Sequence, residues 1–412
     1  MRRVTAERFK DGLHQAAKRA QRRFLLADYE ELRARRRWLR HDPTAPFEEH
    51  VVPVRPDVEQ LREILVFKPD ELGDAVYALP ALRELRAHAP HATISLICRP
   101  LTRDLYERSG LVDELATFEP LPRPFRSRRR LRATLEGLPA RSFDLAIYLK
   151  SPSPAVFPDF LRVPARARLH PLDPRMRSSS VYRADVSAWS DVRKHQALQQ
   201  LDLVGLLTGR AYTFDDVVFP RFDWTEADGR AVHELLGDRL SRPFVVLHPF
   251  AKDETRRYPS DHWATLIAEL DERLGQPTWV VVGGPEDGSF PAGRNVVQAQ
   301  GKLSIGQTGY LLDRAAAMIG NISGPVHWAA ALGTPTVTLM SGHSLPAEWA
   351  PLGASLVLRA SVPCAPCHRK TCPVYGLACL TELRPYRVVG PIEEFVRPHL
   401  ASMREVAGEL AR

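Results

Sequence analysis

Three short stretches place chemically competent side chains where an apolar run hands over to a helical pattern. In "FKPDELGDAVYALPAL", Gly73 allows close backbone approach and Asp74 opens the helix. A carboxylate there either takes the proton of an attacking hydroxyl or caps the helix. In "HPFAKDETRRYP", Lys252, Arg256 and Arg257 follow a second apolar run. Cations at that point suit the growing charge of a diphosphate leaving group, although loop cations are also commonly just solvated. In "GNISGPVHWAAALGTPTV", Ser323 and Gly324 begin a helix whose free N–H groups and positive dipole end attract an anion. His327 lies on the first turn, where it donates to a phosphate oxygen or serves as a buried capping residue.

Two weaker signals accompany these. "GGPEDGS" supplies Gly283 and Gly284 for backbone approach and Asp287 as an acceptor for ribose hydroxyls. "CAPCHRKTCPVYGLAC" brings Cys364, Cys367, Cys372 and Cys379 together, while Cys98 sits alone in an apolar run. Four thiols so spaced point to a structural zinc or iron site rather than disulfides, with a packed loop of reduced cysteines as the alternative.

The elements that must position these residues follow from hydropathy. "EILVFK", "ATISLIC", "DELATFE" and "FDLAIYLK" read as strands of a first unit, with a helix over "ALPALRELRAH". "HPLDPRMRSSSVYRADVSAW" reads as a basic loop, and "KHQALQQLDLVGLLTG" as a helix ended by Gly209. From Arg242 the pattern restarts with strands "PFVVLHPF", "PTWVVVGG", "NVVQAQG", "MIGNIS" and "TPTVTLM" separated by helices. Two successive α/β units predict two doubly wound domains, with ligands at the carboxyl ends of the strands in the cleft between them. The boundaries expected are a basic leader and linker over 1–60, domains over 61–225 and 240–395, and a terminal helix over 396–412.

A net charge of +8 suggests a polyanion partner until it is located. Residues 1–40 hold 13 Lys or Arg against 5 Asp or Glu, so residues 41–412 carry 44 of each and are neutral. That distribution argues against a general nucleic-acid surface. Within the leader, Phe9, Leu13, Ala16, Ala17, Ala20 and Phe24 fall at helical spacing among arginines, a pattern for an anionic membrane surface or for packing on protein. With no secretory signal and no apolar run of spanning length, a cytoplasmic chain is expected, peripheral on the membrane if the leader binds there.

Taken in order, "ILVFKPDELGDAVYALPALRELRAHAP", "VVLHPFAKDETRRYPSDHWATLIAEL", "VVVGGPEDG", "GNISGPVHWAAALGTPTV" and the later cysteines resemble glycosyltransferase family 9, the ADP-heptose:lipopolysaccharide heptosyltransferases. The resemblance runs over roughly residues 61–395. It implies a GT-B fold of two Rossmann-like domains, acceptor on the first and nucleotide sugar on the second, and metal-independent, inverting transfer of heptose from ADP-heptose. Asp74 then matches the general base, Arg256 a phosphate-facing cation, Asp287 the ribose acid, and Ser323, Gly324 and His327 the phosphate turn. Lys252, Gly283 and Gly284 complete the donor set. Arg126, Arg128, Arg129 and Arg130 offer a landing surface for a phosphorylated, lipid-linked or glycan acceptor. Two positions depart from the family pattern: Ile322 stands where an acid is usual, and Phe250 where glycine is usual. Both leave room for a different nucleotide sugar or for a non-catalytic relative.

Overall fold

A computed structural model describes residues 56–410, apart from 120–123, 140–141, 150–164, 171–185, 190–193, 292, 294 and 373–375. The basic leader, including its amphipathic pattern, lies outside the described residues. No helix among those described is long and apolar enough to cross a membrane.

Twelve strands form two six-stranded sheets. In the first, β1 (Glu63–Lys68), β2 (Thr93–Cys98), β3 (Glu114–Thr117), β4 (Leu145–Tyr148), β5 (Ala165–His170) and β6 (Val186–Trp189) lie in the order β3-β2-β1-β4-β5-β6. In the second, β7 (Phe244–His248), β8 (Thr278–Val281), β9 (Val296–Gln298), β10 (Ala317–Asn321), β11 (Thr336–Leu339) and β12 (Ser355–Leu358) repeat that order read from the other edge, β12-β11-β10-β7-β8-β9. Every pairing is parallel. The central strands are covered on both faces, which is why β1 and β7 read as unbroken apolar runs rather than alternating ones. Strand order reverses between β1 and β4 in one half and between β7 and β10 in the other, so each sheet has a switch point at its carboxyl edge.

The halves share a core across their seam. Helix Leu72–Val76 packs on helix Gly324–Ala331, and helix Arg103–Ser109 on helix Ile305–Asp313. One buried cluster joins Leu72, Val76 and Leu105 of the first half to Leu312, Val326 and Trp328 of the second. Polar contacts flank it: Asp104 Oδ2 accepts from the Gly306 amide at 3.2 Å, and Arg108 meets Asp228 at 3.0 Å. Burying side chains of this size contributes about 1.5–3 kcal/mol each, which holds the carboxyl edges of the two sheets against one another.

Three expectations change. Strand β6 lies inside the segment read as a basic loop, and β5 had no reading, because "VSAW" is only four residues long and "ARARLH" carries two arginines and a histidine instead of an unbroken apolar run. The arginine-rich stretch continues as a full helix, Pro124–Glu136, anchored by buried Leu131 and Leu135. The terminal helix runs unbroken from Pro385 to Leu410, so the boundary at 396 falls inside it. It packs on helix Ser260–Arg273 of the second half, with Val388, Ile392, Val396 and Leu400 in that half's core.

Candidate functional site at the facing sheet edges

Four turns at carboxyl ends of strands converge: those after β1, β7, β8 and β10. The first is built on Lys68, a fully buried lysine at the end of β1, whose ammonium meets Asp70 at 2.7 Å. A buried cation needs such a partner, and the pair draws the turn tightly back so that the helix starts at once. Asp74 lies in that helix's first turn, half-buried, and its charge reaches both the Tyr106 hydroxyl and the His327 ring.

Glycines set how closely the facing turns meet. A Cβ on Gly73 would lie 2.8 Å from His327 Cδ2, and one on Gly324 would lie 2.8 Å from Leu72 Cβ. Each turn therefore touches the other through a position with no side chain, which brings the Asp74 turn against the Ser323–Gly324 helix start.

The loop after β7 hangs on Asn321, the fully buried last residue of β10. Its Nδ2 donates to the Pro249 and Phe250 carbonyls at 2.7 and 3.2 Å, and its Oδ1 accepts from the Tyr258 amide at 3.1 Å. One side chain thereby fixes both ends of the cationic loop. Arg256 pairs with Asp253, and its Nε is buried with no partner among the described residues. That orphan donor costs free energy until something anionic satisfies it. Arg257 is turned away to the Ala251 carbonyl at 2.7 Å. Lys252 is exposed and reaches across the seam to Glu71 at 2.9 Å, while Arg99 and Glu119 extend the same network. Burial pushes the Glu71 carboxyl up, but the Lys252 hydrogen bond and the Arg99 and Lys252 charges outweigh it and hold Glu71 below its usual range.

Other predicted residues have more specific roles than their types suggest. Asp287 Oδ2 accepts from the Gly284 amide at 2.9 Å and closes its own turn. A Cβ on Gly283 would strike that carboxylate at 2.7 Å and the Phe250 ring at 3.0 Å, so what approaches this glycine is protein. Ser323 Oγ donates to the Asn321 carbonyl at 3.0 Å and lies 2.9 Å from His248 Nδ1. No side chain caps helix Gly324–Ala331, which leaves its backbone donors as the anion-facing groups. Ile322 is buried at 5% exposure rather than open to the cleft. His327 is buried, with Nδ1 2.6 Å from the Tyr77 hydroxyl. Burial, with the His195 and Arg256 charges, pushes its pKa down to about 3 against the pull of the Asp74 charge, and burial alone takes His248 to about 4. Both are neutral at physiological pH. Arg129 and Arg130 are exposed on their helix, whereas the side chains of Arg126 and Arg128 fall outside the described residues.

The cysteines form a knuckle beside the same loop. All four are free and half-buried, and burial pushes the Cys379 thiol above its usual range, with ionisation of Cys364, Cys367 or Cys372 nearby adding to the rise. Thiols suit zinc or iron, but among the described residues no group of three or more His, Cys, Asp or Glu is arranged to hold a metal ion. What the knuckle visibly does is brace the cationic loop, since the Thr255 hydroxyl donates to the Arg369 carbonyl and its amide reaches the Lys370 carbonyl at 3.4 Å.

Reading the sequence singled out Asp74, Arg256 and His327 but missed Tyr77, His195, Glu71 and Arg99, and treated Asn321 only as part of a motif. The available signal was a buried-type polar residue ending an apolar strand, which Asn321 and Lys68 both display.

Two sheets of Rossmann order meeting at their carboxyl edges, with an acid on one side and cations on the other, define a GT-B architecture. Residues 136–378 match the family described as glycosyltransferase family 9 (heptosyltransferase), and the chain belongs to that family. It is 30% identical over 169 residues to lipopolysaccharide heptosyltransferase 1 of Pseudomonas aeruginosa, a match covering 37% of this chain and spanning about half, 47%, of that relative. The fold is similar to that of E. coli ADP-heptose lipopolysaccharide heptosyltransferase II, at TM-score 0.63 and 21% identity over 81% of this chain and 98% of that one. It is also similar to E. coli heptosyltransferase WaaC with ADP, at TM-score 0.58 and 16% identity over 81% and 99% of the two chains.

Proposed function

We propose that this protein transfers a heptose from ADP-heptose to a lipopolysaccharide-core or related glycan acceptor, with inversion at the anomeric carbon. The observation that carries this is the contact between the Asp74 turn and the Ser323–Gly324 helix start, with Arg256 and Lys252 on the second half's loop. An acceptor hydroxyl beside Asp74 attacks the anomeric carbon, its proton passes to the Asp74 carboxylate, and the bond from that carbon to the phosphate oxygen breaks. The departing nucleoside diphosphate gains negative charge as it leaves. Arg256, with its unpartnered Nε, Lys252 and the backbone donors of the helix start stabilise that charge. A single displacement from the face opposite the leaving group inverts the centre.

Support for the donor comes from family membership and from the related structure with ADP. The exposed arginines of helix Pro124–Glu136 suit a phosphorylated acceptor, and the basic leader suits a peripheral place at the cytoplasmic membrane face. The four cysteines enter only as a structural zinc or iron site outside the chemistry. Elemental analysis beside thiol titration tests it: one bound metal with protected thiols would establish the site, and four freely titrating thiols without metal, the outcome favoured by the arrangement of the described cysteines, would remove it.

A second reading, transfer from another nucleotide sugar, rests on the Phe250 ring over Gly283 and on buried Ile322. Thermal unfolding with ADP, GDP, UDP, CDP and ADP-heptose separates the two, because a ligand bound only by the folded state raises apparent stability. Selective stabilisation by ADP and ADP-heptose is expected. Selective stabilisation by another nucleotide would establish the second reading, and no shift at all would indicate a non-catalytic relative.

A further inference from the structure

A chain of polar contacts crosses the seam behind the Asp74 turn, and its protons can be counted. His195 caps helix Gln196–Thr208, with Nδ1 accepting from the Ala197 amide at 3.2 Å. A ring nitrogen that accepts carries no proton, so neutral His195 bears its hydrogen on Nε2 and donates it to the Ala350 carbonyl at 2.9 Å. Tyr77 has one hydroxyl proton and two acceptors for it, His327 Nδ1 at 2.6 Å and the second lone pair of the Ala350 carbonyl at 3.1 Å. Length decides between them: 2.6 Å is shorter than N–H···O bonds run and suits a hydroxyl donor, while 3.1 Å is long for O–H···O, so the proton goes to Nδ1.

That assignment fixes the other side of the ring. With Nδ1 accepting, neutral His327 carries its hydrogen on Nε2. The Cδ2–Nε2 edge faces Gly73, whose Cβ position lies 2.8 Å from Cδ2 and 3.7 Å from Nε2, next to Asp74 in the chain. The opposite tautomer would present a lone pair toward the side from which the Asp74 charge acts, whereas an Nε2–H is attracted by it. Packing holds the arrangement, with the Tyr77 ring 4.7 Å from each of the His195 and His327 rings and 5.9 Å from Trp349.

We propose that Tyr77 is a positioning residue that locks His327 in the Nε2–H tautomer, so that a neutral donor faces the Asp74 side of the cleft. Its consequence for catalysis rests on the reading of this site as a glycosyl-transfer centre. The tautomer assignment does not.

The test uses the full-length protein with 15N-labelled histidine and long-range 1H–15N correlation of the imidazoles, His327 being assigned by its loss in His327→Gln. The expected pattern is an acceptor-type Nδ1 and a protonated Nε2 for His327, lost or mixed in Tyr77→Phe, which keeps the ring. A protonated Nδ1 in the unmodified protein, or an unchanged His327 pattern in Tyr77→Phe, would overturn the proposal, and the first needs no variant to fold. In transfer assays, Tyr77→Phe should lower kcat about tenfold while KM for the donor stays within about twofold. A raised KM with unchanged kcat would assign Tyr77 to substrate binding and overturn the positioning role. Absence of transfer by the unmodified protein would count against the proposed function and leave the tautomer result standing.

Discussion

The two halves have the same strand order, yet they use the first turn after their central strand in opposite ways. After β1 the chain turns at once, held by the buried Lys68–Asp70 pair, and presents a carboxylate on a helix that begins at Leu72. After β7 it runs on for eleven residues, from Pro249 to Pro259, before the next α-helix begins at Ser260, and presents cations. Beyond its own internal bonds, that longer loop is held from outside by Asn321 from the neighbouring strand and by the cysteine knuckle from a distant segment. The difference teaches that topology fixes where a site lies, while the length and bracing of one turn fix its charge. A tight turn makes an acid-bearing edge, and a braced long one makes an anion-receiving edge.

The sharpest way to break this division of labour is Asp74→Asn, which keeps the shape and removes the base. Transfer should fall about 10²–10⁴-fold, read by release of nucleoside diphosphate, while nucleotide-induced thermal stabilisation is retained. Loss of nucleotide binding as well would show that the acid also serves the donor side.

Asn321→Ala attacks the other edge. It leaves the Pro249 carbonyl and the Tyr258 amide without their partner, and should destabilise the fold by about 2–4 kcal/mol in urea unfolding while weakening nucleotide binding. A stable variant with normal binding would show that the knuckle alone braces the loop.

Gly73→Ala tests the contact between the edges. The added methyl meets His327 Cδ2 at 2.8 Å, a misfit whose typical cost is about 1–3 kcal/mol, and kcat should fall more than the variant's stability accounts for.

Acidification tests the two buried histidines at the seam. Burial holds His248 near 4 and His327 near 3, below their ordinary value of 6.5, so between pH 6.5 and 4 the unfolded chain binds more protons than the folded one. Stability should therefore drop as pH falls through that window, and His248→Asn should flatten the slope in urea-midpoint measurements across it.

The smallest effect belongs to Glu71→Gln, which frees Lys252. Nucleotide affinity in titration calorimetry should rise by about two- to fivefold at low salt and less at high salt, since an exposed ion pair is screened. Because Glu71 is held below its usual range, the pair is present above ordinary carboxylate pH and is lost as pH falls through the lowered value. An affinity unchanged by the substitution would show that Glu71 does not compete with the phosphates for Lys252.

Most of the strands and all four site turns were legible because buried parallel strands and glycine-bearing turns leave local signatures. Asp74, Arg256 and the Ser323–Gly324 start all stand directly after such strands. Tyr77 and His195 were illegible: an aromatic in an apolar helix and a lone histidine at a helix start read as packing and capping. Their chemistry appears only when residues 250 positions apart meet. Strands β5 and β6 hid for another reason: β6, at the sheet edge, is only four residues long, and β5 carries enough charge to pass for loop.

By itself, the sequence determined the α/β alternation, the doubling of the unit, the neutral body behind a basic leader, and the residue types at each strand end. All of these follow from local hydropathy, turn chemistry and charge counting. Only the tertiary structure decided which of those side chains are available and which are already engaged. Ser323, Asp287 and Arg257 prove to be tied into their own turns, Arg256 keeps an unsatisfied donor, and Lys252 is claimed by a carboxylate from the other half. The physical reason is that a polar group's role depends on the partners left over once buried hydrogen bonds have been satisfied, and those partners come from strands far apart in the chain.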